Sequence, residues 1–72
     1  MTQTEMVLDY LERHGSITPL EAMNKLGIMR LGARIYDLKE SGVKIITERA
    51  SEKNRFGEVT SFARYRLEKE HD

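Results

Sequence analysis

The chain contains no cysteine and no tryptophan, and a single proline. Without cysteine there is neither a disulfide framework nor a thiolate metal site, so a reducing compartment suits the composition. Histidine is scarce too. His14 and His71 stand far apart in sequence, and neither has an acidic pair or a glycine-rich phosphate loop beside it, so the usual residues of catalysis are missing. No apolar run approaches the roughly 20 residues that span a bilayer. The opening Met1-Thr2-Gln3-Thr4 lacks the basic start and apolar stretch of a signal peptide. These absences lead us to expect a cytoplasmic protein that is not an enzyme and needs no cofactor or metal.

What is present describes one small domain. At 72 residues, 39% apolar and 33% charged, there is material for one core, and a chain of this size buries only about 60% of its unfolded surface. We place the folded domain at residues 1–67 and a charged flexible tail at 68–72. The formal net charge is zero, but it is unevenly distributed. Residues 1–29 carry Arg13 and Lys25 against Glu5, Asp9, Glu12 and Glu21, a net of −2. Residues 67–72 also come to −2. The stretch between them holds nine Lys and Arg against five acids, a net of +4. Positive potential therefore belongs to the middle of the chain, where a phosphate backbone would be attracted.

Val7, Tyr10, Leu11 and His14 recur at helical spacing, predicting a first helix from about Thr4 to His14, with Gly15 as its left-handed terminator. Thr18-Pro19-Leu20-Glu21 then combines an N-cap, a proline at the first helical position and a capping-box glutamate. Ile17 and Ala22 are spaced as a hydrophobic staple across that start. Ala22, Met23 and Leu26 form the expected buried edge of this short second helix, which Gly27 stops. A third helix begins near Met29 or Arg30, buries Leu31, Ile35 and Leu38, and ends at Gly42. Two helices joined by a Leu26-Gly27-Ile28 turn have the outline of a helix-turn-helix.

On the third helix, a step of about 100° per residue puts Arg30, Ala33, Arg34 and Asp37 away from the buried stripe, with Tyr36 and Glu40 at the margin. An arginine fork matches the O6 and N7 acceptors of guanine, and Ala33 suits a thymine methyl. The alternative for the two arginines is a solvated face carrying an Arg34–Asp37 ion pair. No residue from 27 to 30 can cap the helix through its side chain, which leaves amide groups free for water or a phosphate. Gly32 costs the helix about 1 kcal/mol relative to alanine. Close packing of the preceding helix is the simpler reason for it, and approach of a sugar-phosphate strand the other.

Beyond Gly42, Val43, Ile45 and Thr47 alternate with polar neighbours, as do Ala63, Tyr65 and Leu67, so a β-hairpin is expected. Its loop holds Lys53, Asn54, Arg55 and Phe56. Lys53, Arg55, Arg49 and Arg64 are placed to meet phosphates or a minor groove, or else to keep a strand edge soluble. If Ala63, Tyr65 and Leu67 face inward, Ile46 and Phe62 face outward beside Arg64. With Phe56 they are the residues we expect at any homodimer or partner surface, a dimer being the usual way for such units to read two half-sites about 34 Å apart.

The segments His14-Gly15-Ser16-Ile17-Thr18-Pro19-Leu20-Glu21-Ala22, Leu26-Gly27-Ile28 and Arg30 to Leu38 carry a resemblance, together with Asn54-Arg55-Phe56-Gly57 and Ala63 to Leu67. In combination they resemble a family of small winged helix-turn-helix proteins encoded by bacteriophages and prophages, over residues 4 to 67. The resemblance implies an α+β fold of three helices plus a C-terminal β-hairpin wing. It also implies a third helix that recognises double-stranded DNA and a wing that supports it, with transcription regulation as a natural context. The DNA-contacting set expected on this basis is Arg30, Ala33, Arg34, Asp37, Arg49, Lys53, Asn54, Arg55 and Arg64. The competing expectation is a protein-binding module, such as a phage-encoded inhibitor of a host complex, for which zero net charge is the better fit.

Overall fold

Thr2 opens the first helix. Its hydroxyl accepts from the Glu5 amide, and the Glu5 carboxylate accepts from the Thr2 amide, so α1 runs over Gln3–His14 with both ends of its first turn satisfied. The computed structural model describes residues 1–68; apart from Glu68, the expected charged tail lies outside the described residues. After α1 come the short strand β1 (Ser16–Ile17) and helix α2 (Pro19–Glu21), which continues as a single π-helical turn over Ala22–Leu26. Helix α3 (Leu31–Glu40) and the hairpin strands β2 (Ile45–Lys53) and β3 (Val59–Leu67) complete the domain.

Three helices on a three-stranded antiparallel sheet of order β1-β3-β2 make the expected α+β winged helix-turn-helix. Val7 and Leu11 of α1, Ile17, Ala22, Ile28, and Leu31, Ile35 and Leu38 of α3 form one core, with Val43, Ile45, Tyr65 and Leu67 packed against it. The Thr18 cap and the Ile17–Ala22 staple hold as expected: Thr18 Oγ accepts from the Glu21 amide at 3.2 Å, and both staple residues are buried.

The π turn was not expected, and it corrects one residue. Gly27 adopts a left-handed conformation at φ 70°, and the Ile28 amide reaches back 3.0 Å to the Ala22 carbonyl. That wider turn seats Ile28 in the core but changes the angular step along the helix. Met23, expected on the buried edge with Ala22, is 48% exposed instead.

In the hairpin, Ile45 pairs with Leu67, Thr47 with Tyr65, and Arg49 with Ala63. Odd-numbered residues of both strands therefore share the face that packs on the core, and even-numbered residues share the other, which α2 approaches. Ile46 lies opposite Arg66 and Phe62 opposite Ala50, with the Glu48–Arg64 row between. Ile46 and Phe62 are thus about 13 Å apart along the strands rather than adjacent. Both face outward as expected, but they flank the Arg64 row rather than forming one apolar spot beside it, and Phe56 belongs to the distant turn.

Candidate nucleic-acid interface

The orientation of α3 is set by α1. Arg34 and Asp37, expected on the open side, turn to the first turn of α1. Arg34 Nε sits 3.1 Å from Asp37 Oδ2, Arg34 Nη1 donates to Gln3 Oε1 at 3.5 Å, and Thr4 Oγ donates to Asp37 Oδ2 at 3.3 Å. The Arg34 Nε is buried and not aligned for a hydrogen bond, so the contact is an ion pair held by proximity. Both side chains are spent on binding two helices together. The Arg34–Asp37 ion pair of the alternative reading is present, packed against α1 rather than on a solvated face.

The rotation opens a different face. Gly32, Tyr36, Lys39 and Glu40 are exposed, Ala33 is half-buried beside them, and Met29 and Arg30 stand exposed at the start of the helix. The Glu40 carboxylate, an acceptor near the Tyr36 hydroxyl, favours its protonated form and holds its pKa above the usual tyrosine value. Sequence periodicity put Tyr36 and Glu40 only at the margin and passed over Lys39. The signal available was the buried stripe, but its centre alone does not reveal that α1 covers one flank. A methyl group built on Gly32 would meet no atom within 4 Å. Packing of the preceding helix, the simpler expectation, is therefore not the reason for this glycine.

Arg30 supplies no side-chain cap, so the first amides of α3 lack a side-chain partner there. The helix ends with Val43 N donating to Leu38 O at 3.0 Å around Gly42, whose φ of 95° only glycine adopts readily.

The wing divides the remaining cations. Arg49 and Lys53 are exposed and, by register, stand on the core-facing side of the sheet beyond the core. Arg64 stands on the opposite face, as does Arg66, which is ion-paired with Glu48. Arg55 and Phe56 are exposed at the turn. Asn54 closes that turn: its Oδ1 accepts from the amides of Phe56 at 2.9 Å and Glu58 at 3.1 Å. The structure thus brings Arg30, Ala33, Arg49, Lys53 and Arg55 to α3, the core-facing side of the sheet or the tip. It commits Arg34, Asp37 and Asn54 to internal contacts and turns Arg64 away.

This arrangement has a helix-turn-helix whose second member lies open along one face, followed by a two-stranded wing that carries exposed basic residues. The chain matches the winged helix-turn-helix domain over residues 2–70. The chain belongs to that family. Winged helix-turn-helix domains are a DNA-binding architecture, in which the second helix of the motif is the one held to the major groove. No curated protein matches the sequence. Among the described residues, no helix of this winged helix-turn-helix domain is long and apolar enough to cross a membrane.

Proposed function

We propose that this winged helix-turn-helix domain is a sequence-specific double-stranded DNA-binding protein, a small phage-type transcriptional regulator acting in the cytoplasm. In this reading α3 enters the major groove and the wing follows the backbone. The observation that carries the reading is the uncovered face of α3, and the exposed Arg49 and Lys53, on the core-facing side of the hairpin by register, support it. Arg30, at the exposed start of α3, takes a base edge or the adjacent phosphate, and Ala33 lies within the reading face. Gly32 leaves room for a sugar-phosphate strand beside the free amides of the first turn. Tyr36 and Lys39 extend the contact, and Arg49, Lys53 and Arg55 neutralise phosphates. Arg34 and Asp37 serve as positioning residues that fix the angle of α3.

Selection of bound duplexes from a random pool tests the reading directly. An enriched motif is expected, and an inverted repeat with half-sites one helical turn apart would establish a dimer. Affinity should fall linearly on a log–log plot against salt, and Lys53→Ala should reduce the slope by about 1. A second reading, a protein-interaction module such as a phage-encoded inhibitor of a host complex, draws on the zero net charge. No enriched motif, with partner binding that is insensitive to salt, would favour it over the first.

A further inference from the structure

A cleft of about 510 Å³ opens between α2 and the even-numbered face of the hairpin, on the side of the sheet opposite Arg49 and Lys53. Clefts that hold ligands generally enclose about 300 to 1,000 Å³. Pro19, Leu20 and Met23 form one wall, Phe62 faces them from β3, and Arg64 and Glu52 lie on the same sheet face. Leu20 is 65% exposed although it adjoins this apolar wall.

The register sets the charges at opposite ends. Arg64 pairs with Glu48 in the ladder, and Glu52 lies four residues beyond Glu48 on β2, about 13 Å further along the strand. Phe62 stands between them, opposite Ala50. Among the described residues neither Arg64 nor Glu52 makes a side-chain hydrogen bond or an ion pair. The carboxylate directly across from Arg64, that of Glu48, is taken by Arg66. Glu21, also in the lining, is committed as well: its Oε1 accepts from the Thr18 amide and its Oε2 from the Tyr10 hydroxyl. The cleft therefore presents a free cation, an apolar centre and a free anion in a row.

We infer that this cleft receives an extended segment of another protein, in which an apolar residue is flanked two positions away by an acid on one side and a base on the other. Alternate residues of an extended chain point the same way, and positions four apart span about 13 Å, the offset along the strands from Arg64 to Glu52, which lies one strand over. The acid meets Arg64, the apolar side chain enters between Phe62 and Met23, and the base meets Glu52. A helical segment does not fit, because four residues of helix rise only about 6 Å. Opposed charges at the ends select the partner and its direction.

The test uses the whole 72-residue chain and a fluorescent peptide, Gly-Ser-Glu-Thr-Leu-Thr-Lys-Ser-Gly, followed by anisotropy at low salt without DNA. Saturable binding is expected, weakened at least about tenfold when the peptide's leucine becomes serine or its glutamate becomes lysine. Phe62→Ser should weaken every peptide. Arg64→Glu should lose the original peptide and gain the one with lysine at both ends, a gain that also shows the variant to be folded. The inference is overturned if the wild-type chain binds none of the peptides, or binds lysine-flanked and glutamate-flanked ones alike. It is also overturned if Arg64→Glu keeps its circular dichroism but not the switch. Sedimentation showing self-association that Phe62→Ser abolishes would assign the cleft to a second copy instead, and would overturn it equally.

Discussion

Arg34 Nε lies 3.1 Å from Asp37 Oδ2, and the same two side chains reach Gln3 and Thr4 at the start of α1. One of the two arginines that helical periodicity places to read a base is thereby a strut between two helices. Its partner carboxylate would repel a phosphate if it were freed.

Arg34→Ala should therefore act through stability and positioning rather than through one lost base contact. The pair is partly exposed, so the expected cost is under about 1 kcal/mol. Urea denaturation measures this cost. In binding to the selected duplex, Arg34→Ala should weaken affinity without relaxing preference at a single base pair. Arg30→Ala should relax preference at one position, by about 1 to 3 kcal/mol against the wrong base.

Gly32→Ala separates folding from binding. The site is open and its backbone helical, so alanine should stabilise the domain by about 0.5–1 kcal/mol. The added methyl lies on the face assigned to DNA, so duplex affinity should drop while the melting temperature rises. A variant that gained in both would remove Gly32 from the interface.

Asn54 is expected to matter through the shape of the wing. Asn54→Ala removes the acceptor of two turn amides, whereas Asn54→Asp keeps it. Hydrogen exchange at Phe56 and Glu58 should quicken in the first variant and stay protected in the second. The two should also rank in that order in their loss of DNA affinity.

Tyr10 sets an alkaline limit. Desolvation, followed by the charge of Glu21 and the hydrogen bond to it, raises its pKa above the usual tyrosine value. The folded state then holds its proton more tightly than the unfolded state does. This contribution is complete below the unfolded pKa, near 10, and is lost as pH climbs through the higher folded value. Unfolding free energy measured against pH should decline in that alkaline window, and Tyr10→Phe should flatten part of the decline.

Most of the architecture could be read from local pattern. The Thr18-Pro19-Leu20-Glu21 start, the Leu31-Ile35-Leu38 stripe and the alternation around Ile45 and Tyr65 each act within a few residues, where capping and periodicity operate. Thr2 and Glu5 carried the same capping signal at the head of α1, one turn before helical spacing of apolar residues becomes visible. The π turn after Glu21 was not legible, because it depends on Ile28 being drawn into a core formed by other elements.

The candidate interface was legible as a set of cations but not as a surface. Periodicity gives the angle between residues on one helix, and it does not say which flank a second helix will cover. Alternation likewise gives two faces for each strand, but the odd rows of β2 and β3 coincide only because the turn closes between Asn54 and Glu58. Sequence by itself determined the three helices, their caps and the hairpin, since those rest on hydrogen bonds and apolar spacing among near neighbours. Tertiary structure alone decided that Arg34 is tied to α1, that Arg49 and Arg64 look opposite ways, and that Phe62 meets Met23 across a cleft. Those outcomes depend on pairs distant in sequence, whose meeting is settled only when the core closes.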